Sequence, residues 1–266
     1  MCQRDHIEIE PENVFAGVTD RGLRHKENQD DMALAVVKTA SGSHYIAVVC
    51  DGVSGSERAA SASAAAAETA CEALVHGLTD APDQDIKTLV TAAIAEANVA
   101  VCSLTYTHGT AKEPPETTIV AAVVTGCTAV IGWVGDSRAY WFTADDAAIL
   151  TRDHSWVNDV VDAGLMSETL ALKSRMARAI VRCLGGEKPD SKEHTEASVI
   201  RCNLPEGARL LLCSDGLWCY ASTLETLENL VRAGSGDSPL AVAQHLVQFA
   251  IGRGGRDNIT AIILEI

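Results

Sequence analysis

Five aspartates lie beside short apolar segments of the kind that form β-strands, and their positions suggest metal-dependent chemistry. Three follow such a segment and two precede one: Asp51 (IAVVCDG), Asp136 (IGWVGDS), Asp215 (LLLCSDG), Asp257 (RDNIT) and Asp30 (NQDDM). A single strand that ends in Asp-Gly usually marks a tight turn. A set of five is different, because strand ends gather at the rims of a sheet sandwich, where clustered carboxylates repel one another and are driven to take up protons.

A divalent cation would remove that repulsion. Oxygen ligands favour Mg²⁺ or Mn²⁺ over Zn²⁺, which prefers nitrogen and sulfur. Two such ions can activate water and hold a phosphoryl group, so the pattern predicts metal-assisted phosphate hydrolysis.

The motifs of other phosphate and metal enzymes are absent from the sequence or stand in the wrong place. No cysteine has an arginine six residues later, no GxxxxGK[ST] or HExxH occurs, and the only DxD, Asp83–Asp85, stands at a predicted helix start rather than at a strand end.

The elements that must position these aspartates follow from hydrophobic periodicity and turn residues. Ser56–Gly77, with Ser56 as its cap, and Asp85 to about Tyr106 are predicted to form an antiparallel helical hairpin. Two shorter helices are predicted over Leu224–Ala233 and Pro239–Ile251. Predicted strands are Val14–Thr19, Met32–Val37, Tyr45–Cys50, Thr118–Val124, Ala129–Val134, Arg138–Thr143, Ala197–Cys202, Arg209–Cys213 and Ile259–Ile266. Consecutive strands, with helices inserted as blocks, favour a mixed α+β fold over an alternating parallel sheet.

Composition and charge exclude several classes of protein. The 266 residues are 47% hydrophobic, which is enough apolar material for a large core. The formal net charge of −15 disfavours binding to nucleic acid or to an anionic membrane surface. The nine cysteines form no CxxC pair, and the amino terminus lacks the apolar segment of a signal peptide. We therefore expect a cytoplasmic protein with reduced thiols and no membrane span.

Seven segments, in order, resemble the metal-dependent serine/threonine phosphatases of the PPM or PP2C family, and of its bacterial type. They are TDRGLRHKENQD (19–30), VVCDGVSG (48–55), TT (117–118), GWVGDSRAY (132–140), ARAIVRCLGG (177–186), LLLCSDGLW (210–218) and GGRDNIT (254–260). The resemblance runs from about residue 13 to the carboxyl end. It implies a four-layer α/β/β/α sandwich of two antiparallel sheets flanked by helix pairs. We expect one stand-alone domain over residues 1–266, with a mobile flap at about 153–185.

The resemblance also implies a role for each motif aspartate. Asp51 would bridge two metal ions, and the backbone carbonyl of Gly52 would bind one of them. Asp215 and Asp257 would complete the ligands of the second ion. Asp136, together with Asp215, would hold a third ion that many bacterial-type members bind.

The implied reaction is direct hydrolysis of phosphoserine and phosphothreonine in proteins. Asp30 would orient metal-bound water, and a hydroxide that bridges the metals would attack phosphorus without a phosphoenzyme intermediate. The expected cofactors are two or three Mn²⁺ or Mg²⁺ ions. The expected partners are a phosphoprotein substrate and a Ser/Thr kinase pathway, with no nucleic acid and no membrane. We expect the chain to be a monomer.

Four positions depart from the family pattern. His25 stands where the family usually has the arginine that binds the substrate phosphate, and Arg24 is one position early, so either could take that role or His25 could be a plain loop residue. Gln29 replaces a glutamate, Val53 a histidine proposed as the general acid, and Glu116 a glycine before the two threonines. The change at His25 supports the alternative function, a catalytically weak or inactive PP2C-like binding or regulatory module.

Overall fold

Two antiparallel sheets lie face to face in the computed structural model, which describes residues 5–40, 42–81, 84–107, 113–186, 195–234 and 236–266. The strands of the described chain are β1 (His6–Glu12), β2 (Phe15–Asp20), β3 (Asp30–Thr39), β4 (Gly42–Asp51), β5 (Glu116–Thr117), β6 (Ile119–Thr125), β7 (Thr128–Val134), β8 (Arg138–Phe142), β9 (Ala147–Ile149), β10 (Leu184–Gly185), β11 (Ser198–Asn203), β12 (Arg209–Cys213) and β13 (Ile259–Glu265). Its helices are α1 (Ala59–Asp80), α2 (Ile86–Cys102), α3 (Trp156–Asp162), α4 (Glu168–Ala171), α5 (Asp215–Trp218), α6 (Leu224–Ala233) and α7 (Pro239–Gly252).

Sheet order explains how distant parts of the sequence become neighbours. The six-stranded sheet runs β1-β2-β13-β12-β8-β9, and the five-stranded sheet runs β11-β7-β6-β4-β3. Every pairing within the two sheets is antiparallel. The short strands β5 and β10 pair with each other, and Thr117 of β5 also forms an antiparallel bridge with Gly52. Helices α1 and α2 cover the five-stranded sheet, and α6 and α7 cover the other, so the predicted four-layer α+β fold is confirmed.

Alternation along the central strands divides the core into three layers. In β4, Ile46 and Val48 belong to the core beneath α1 and α2, whereas Ala47 and Val49 belong to the core between the sheets. This is the period of two that a strand imposes when both of its faces are buried. A strand of this kind has apolar residues at every position, which is why the central strands are long apolar runs in the sequence.

The helical hairpin depends on small residues at the contact between its helices. Gly77 lies inside α1, and a Cβ there would be 2.4 Å from a methyl carbon of Leu89 on α2. The prediction that the first helix ends at Gly77 is therefore wrong, because this glycine admits a close neighbour and α1 continues to Asp80. The second helix ends at Cys102 rather than near Tyr106.

The start of α1 also differs from the prediction. Ser56 is not the helix cap, because its hydroxyl donates to the carbonyl oxygen of Val53 at 2.8 Å and holds a turn. The residue before the helix is Arg58, whose backbone is left-handed at φ 56°. Non-glycine residues seldom adopt this conformation. The Arg58 guanidinium donates to the carbonyl oxygen of Thr105 at 2.9 Å, which ties the helix start to the chain after α2.

Several short elements were not predicted, and neither were the edge strands β1 and β9 of the six-stranded sheet. β1 has exposed charged residues alternating with half-buried ones and pairs at the edge of the six-stranded sheet. The segment expected to be a flap, residues 153–185, contains α3, α4 and β10. Its mobility, and the division of the chain into one domain of residues 1–266, stay predictions. Within the described residues, no helix is both long enough and apolar enough to cross a bilayer.

The packing of α2 on β7 makes a prediction about stability. Ile94 is buried, and its terminal methyl carbon would lie 2.7 Å from a Cβ at Gly132. Replacing Ile94 with alanine leaves a cavity that the tightly packed glycine cannot fill, and we expect a loss of about 2–5 kcal/mol in the free energy of unfolding, measured by urea denaturation. Val99→Ala on the same helix, at an exposed position, is the control and should change it by less than about 0.5 kcal/mol. Equal losses in the two variants would contradict this account of the core.

Candidate active site

All five predicted aspartates lie at one rim of the sandwich. Asp30 begins β3 and Asp51 ends β4, and the two are direct partners in the register of that strand pair. Asp215 follows β12, Asp257 precedes β13, and Asp136 precedes β8. Because β12 is antiparallel to both β8 and β13, its end meets their beginnings. The fold therefore brings together residues that are more than 200 positions apart in the sequence.

The charges of these aspartates act on one another. Burial is the main cause of a raised pKa at four of them, and neighbouring aspartate charges add to it. The pKa of Asp30 rises to about 7, that of Asp136 to about 8 and that of Asp215 to about 6, while that of Asp51 rises well above its usual range. The charge of Asp257 contributes to the shifts at Asp30, Asp51 and Asp215. The rim therefore holds more negative charge than its surroundings neutralise.

Asp30 is held by hydroxyl groups from the six-stranded sheet. Ser214 and Thr260 each donate to its Oδ2 at 2.7 Å. Thr260 in turn is hydrogen-bonded to Thr19 at 2.8 Å, and the Asn28 amide donates to Thr19 at 2.9 Å. The other oxygen, Oδ1, is buried and has no hydrogen-bond partner among the described residues. One oxygen is thus fixed in place, and the other is left to accept a hydrogen bond or a cation.

The backbone at Asp51 and Gly52 is equally restrained. The carbonyl oxygen of Asp51 accepts from the Thr118 amide at 2.8 Å and from the Thr117 hydroxyl at 2.9 Å. The amide of Gly52 donates to the carbonyl oxygen of Gln29 at 3.0 Å. A Cβ at position 52 would lie 2.5 Å from the carbonyl oxygen of Ala59, so only glycine fits here. The TT motif therefore fixes the end of β4 at the rim.

A cation and an indole ring hold the Asp136 side of the rim. The Trp218 indole donates to the Asp136 carbonyl oxygen at 2.9 Å, and the Arg138 guanidinium lies 3.6 Å from the centre of the Trp218 ring. Arg138 also forms a bidentate pair with Asp153, at 2.8 and 2.7 Å. Sequence reasoning did not assign these residues to the site. Their proximity to VGDSR and SDGL was the available signal, but sequence alone cannot show which way a ring or a guanidinium turns.

The predicted phosphate-binding residues differ in their placement. His25 is at the rim, where its Nε2 lies 3.2 Å from Asp257 Oδ1. Arg24 is exposed to solvent. A third basic residue, Arg178 from the predicted flap, lines cavities on both sides of the rim, and its positive charge counters the rise in the pKa of Asp215. His25 and Arg178 therefore both reach the aspartates, from positions about 150 residues apart in the sequence.

The rim meets the chemical requirements of a divalent cation. Its donors are carboxylate and carbonyl oxygens, and Asp30 Oδ1 is a buried acceptor without a partner. Across the described residues, no three aspartate, glutamate, histidine or cysteine side chains are already arranged as a complete metal site. The carboxylates approach one another closely enough to raise each other's pKa, and hard cations would relieve this repulsion.

Comparison with known proteins finds relatives of one kind. Serine/threonine phosphatase stp from Listeria welshimeri is 29% identical over 256 residues, 93% of each chain. PstP from Mycobacterium tuberculosis, a serine/threonine protein phosphatase, is 27% identical over 252 residues, 95% of this chain and 45% of PstP. The chain thus spans about half the length of PstP.

Solved structures share the fold. The crystal structure of the M. tuberculosis phosphatase PstP/Ppp matches with a TM-score of 0.75 at 26% identity, over 95% of this chain and 97% of that one. The catalytic domain of PstP, in complex with 2 manganese ions, matches with a TM-score of 0.72 at 24% identity, over 98% of each chain. The family model described as Protein phosphatase 2C matches residues 22–238, which is most of the sequence. The resemblance seen in the motifs is confirmed: the chain belongs to the protein phosphatase 2C family.

Proposed function

We propose that this chain hydrolyses phosphoserine and phosphothreonine esters in proteins with Mn²⁺ or Mg²⁺ as cofactor. The observation that carries the proposal is the convergence of buried aspartates at one rim, where their charges raise one another's pKa and oxygen donors predominate. Membership of the protein phosphatase 2C family supports the same reaction. The related PstP catalytic domain was solved with 2 manganese ions, which supports the choice of metal.

The proposed ligands are those that the motifs suggested. Asp51, the Gly52 carbonyl, Asp215 and Asp257 would hold two ions, and Asp136 with Asp215 would hold a third. When bound, the ions would neutralise the carboxylates, acidify water and polarise the phosphoryl group. The restrained backbone at Gly52 supports this assignment because a ligand needs a fixed position.

The remaining residues of the rim would orient the reactants. Asp30, fixed through Oδ2 by two hydroxyls, has Oδ1 free to accept a hydrogen bond from the attacking water. His25 or Arg24 would bind the substrate phosphate, and Arg178 adds a guanidinium at the same rim. The P–O bond of the ester breaks as water attacks, and the leaving oxygen takes a proton from water, since Val53 has none to give.

The cellular setting is also a proposal. We infer that a Ser/Thr kinase produces the substrate and that the protein acts in the cytoplasm. The eight cysteines within the described residues are all free thiols, which supports a reducing compartment. The monomeric state expected from the sequence stays a prediction.

Phosphate release from a phosphothreonine peptide tests the function directly. We expect turnover with Mn²⁺ or Mg²⁺ and none in EDTA, because the aspartate rim needs cations to hold a phosphate dianion. Asp215→Asn should lower kcat/KM by about 100-fold or more, through loss of a metal ligand. Asp145→Asn, an exposed aspartate in the turn between β8 and β9, controls for the charge change and should behave as the unmodified protein. Absence of turnover in folded protein supplied with Mn²⁺ would instead favour the binding module, which the contact of His25 with Asp257 would then help to explain.

Metal binding should also stabilise the fold. A cation that binds only the folded chain adds about 2.7 kcal/mol at a hundredfold excess over its Kd, which corresponds to a rise in Tm of roughly 5–10 °C for a chain of this size. Differential scanning calorimetry with Mn²⁺ and then excess EDTA measures this rise. Asp215→Asn should show a smaller rise at the same Mn²⁺ concentration. An identical rise in both proteins would place the ion elsewhere.

The hydroxyl network beneath Asp30 makes a separate prediction. Thr260→Val keeps the shape of the side chain but removes the donor to Asp30 Oδ2. Groups that hold ligands or bound water in place typically contribute 10–100-fold to metal affinity or activity, and we expect a loss of about tenfold in kcat or in Mn²⁺ affinity. Steady-state kinetics and calorimetric titration with Mn²⁺ give the two values. Thr91→Val on the exposed side of α2 is the matched control, and equal behaviour of the two variants would show that the network is only structural.

A further inference from the structure

A cavity of about 610 Å³ adjoins the aspartate rim on the side of β4. It begins at Val53, two residues beyond Asp51. Residues that line it include Val53, Glu113, Glu116, Arg178, Cys183 and Gly186. We name this cavity the Glu116 cleft. Its volume lies in the range of sites that accept small ligands or side chains of a bound peptide.

The Glu116 cleft is lined by charges of both signs. Arg178 lies toward the rim, because its positive charge acts on Asp215 and because it also lines the second cavity of about 330 Å³ with Asp136 and Asp215. Glu116 is half-buried, and burial and the charge of Glu113 raise its pKa. The cleft therefore has one positive group, Arg178, that also faces the cavity of Asp136 and Asp215, and two carboxylates, Glu113 and Glu116, that do not line that second cavity.

The backbone at Glu116 is fixed by hydrogen bonds on both sides, which fixes where its side chain begins. Its amide donates to the Ser56 hydroxyl at 3.3 Å, and its carbonyl oxygen accepts from the Val53 amide at 3.0 Å. Glu116 also pairs with Gly185, and a Cβ on Gly186 would lie 3.0 Å from Glu116 Oε1. The position is the one where the family usually has glycine before the two threonines. Here a rigid loop carries a carboxylate that the family pattern lacks.

We propose that Glu116 determines substrate specificity, and that with Glu113 it selects phosphoprotein segments that carry lysine or arginine close to the phosphorylated residue. This inference rests on the proposed phosphatase function. A segment of that kind presents a phosphate dianion to the rim and Arg178, and an ammonium or guanidinium group to Glu116. Each charge of the ligand then meets the opposite charge in the cleft, while an acidic neighbour would meet two carboxylates.

Paired phosphothreonine peptides test the inference. The two peptides of a pair are uncharged apart from the phosphothreonine and one variable residue, which is lysine in one peptide and glutamate in the other. This residue is placed in turn at positions from three before to three after the phosphothreonine. We expect the kcat/KM of the lysine peptide to exceed that of its partner by about tenfold at one or more positions. Glu116→Gln should reduce that ratio to about twofold, and Glu116→Lys should reverse it. Glu72→Gln, an exposed glutamate on α1, makes the same change in net charge and should keep the ratio of the unmodified protein.

The outcomes separate this inference from the proposed function. Equal turnover of all peptides by the unmodified protein leaves the phosphatase function intact and overturns the role of Glu116. A preference for lysine that persists in both Glu116 variants does the same. Absence of phosphate release from every peptide with Mn²⁺ present contradicts the proposed function, and the inference with it. Calorimetric Tm values for each variant identify any loss of folding, and the peptide comparison in the unmodified protein does not depend on the variants.

Discussion

Repulsion among buried carboxylates is the physical constraint that organises this structure. Burial costs each aspartate part of its hydration, and the negative charges nearby add to that cost, so the pKa values of Asp30, Asp51, Asp136 and Asp215 all rise. Few folds tolerate a cluster of buried carboxylates unless a bound cation offsets the loss of hydration and the repulsion. The rest of the fold can be understood as the frame that holds these side chains together in spite of their repulsion.

That frame is made largely of neutral hydrogen bonds rather than ion pairs. Hydroxyl groups of Ser214 and Thr260 fix Asp30, and the paired threonines 117 and 118 fix the backbone at Asp51. Neutral donors orient a carboxylate without cancelling its charge, so the oxygen atoms stay available to a cation. Of the guanidinium groups near the rim, that of Arg138 is engaged by Asp153 and stacks on Trp218, and that of Arg178 acts on Asp215.

The central strands and the five aspartates could be predicted from the sequence, because in both cases the signal lies in neighbouring residues of the chain. Strands such as β4 and β13 contain uninterrupted apolar runs, Ile46–Cys50 and Ala261–Leu264, because both faces are buried there, and turn residues mark where the strands end. Edge strand β1 and helices α3 to α5 were missed, since their patterns are short or mixed. The end of α1 was misplaced because Gly77 serves packing rather than termination. The orientation of Trp218 and the contact of His25 with Asp257 depend on tertiary neighbours, which no single-sequence pattern reports.

The direct pairing of Asp30 with Asp51 has a consequence for how the fold can vary. Side chains alternate between the two faces of a strand, so a shift of one residue between β3 and β4 would turn one of these carboxylates toward the opposite face. Insertions or deletions of one residue inside either strand are therefore incompatible with the rim, whereas the strands are joined beyond the Thr39–Gly42 pair, at the far end from the rim, where changes in length leave the register intact. Natural variation in chain length should accordingly concentrate in that connection and in the other loops of the distant rim.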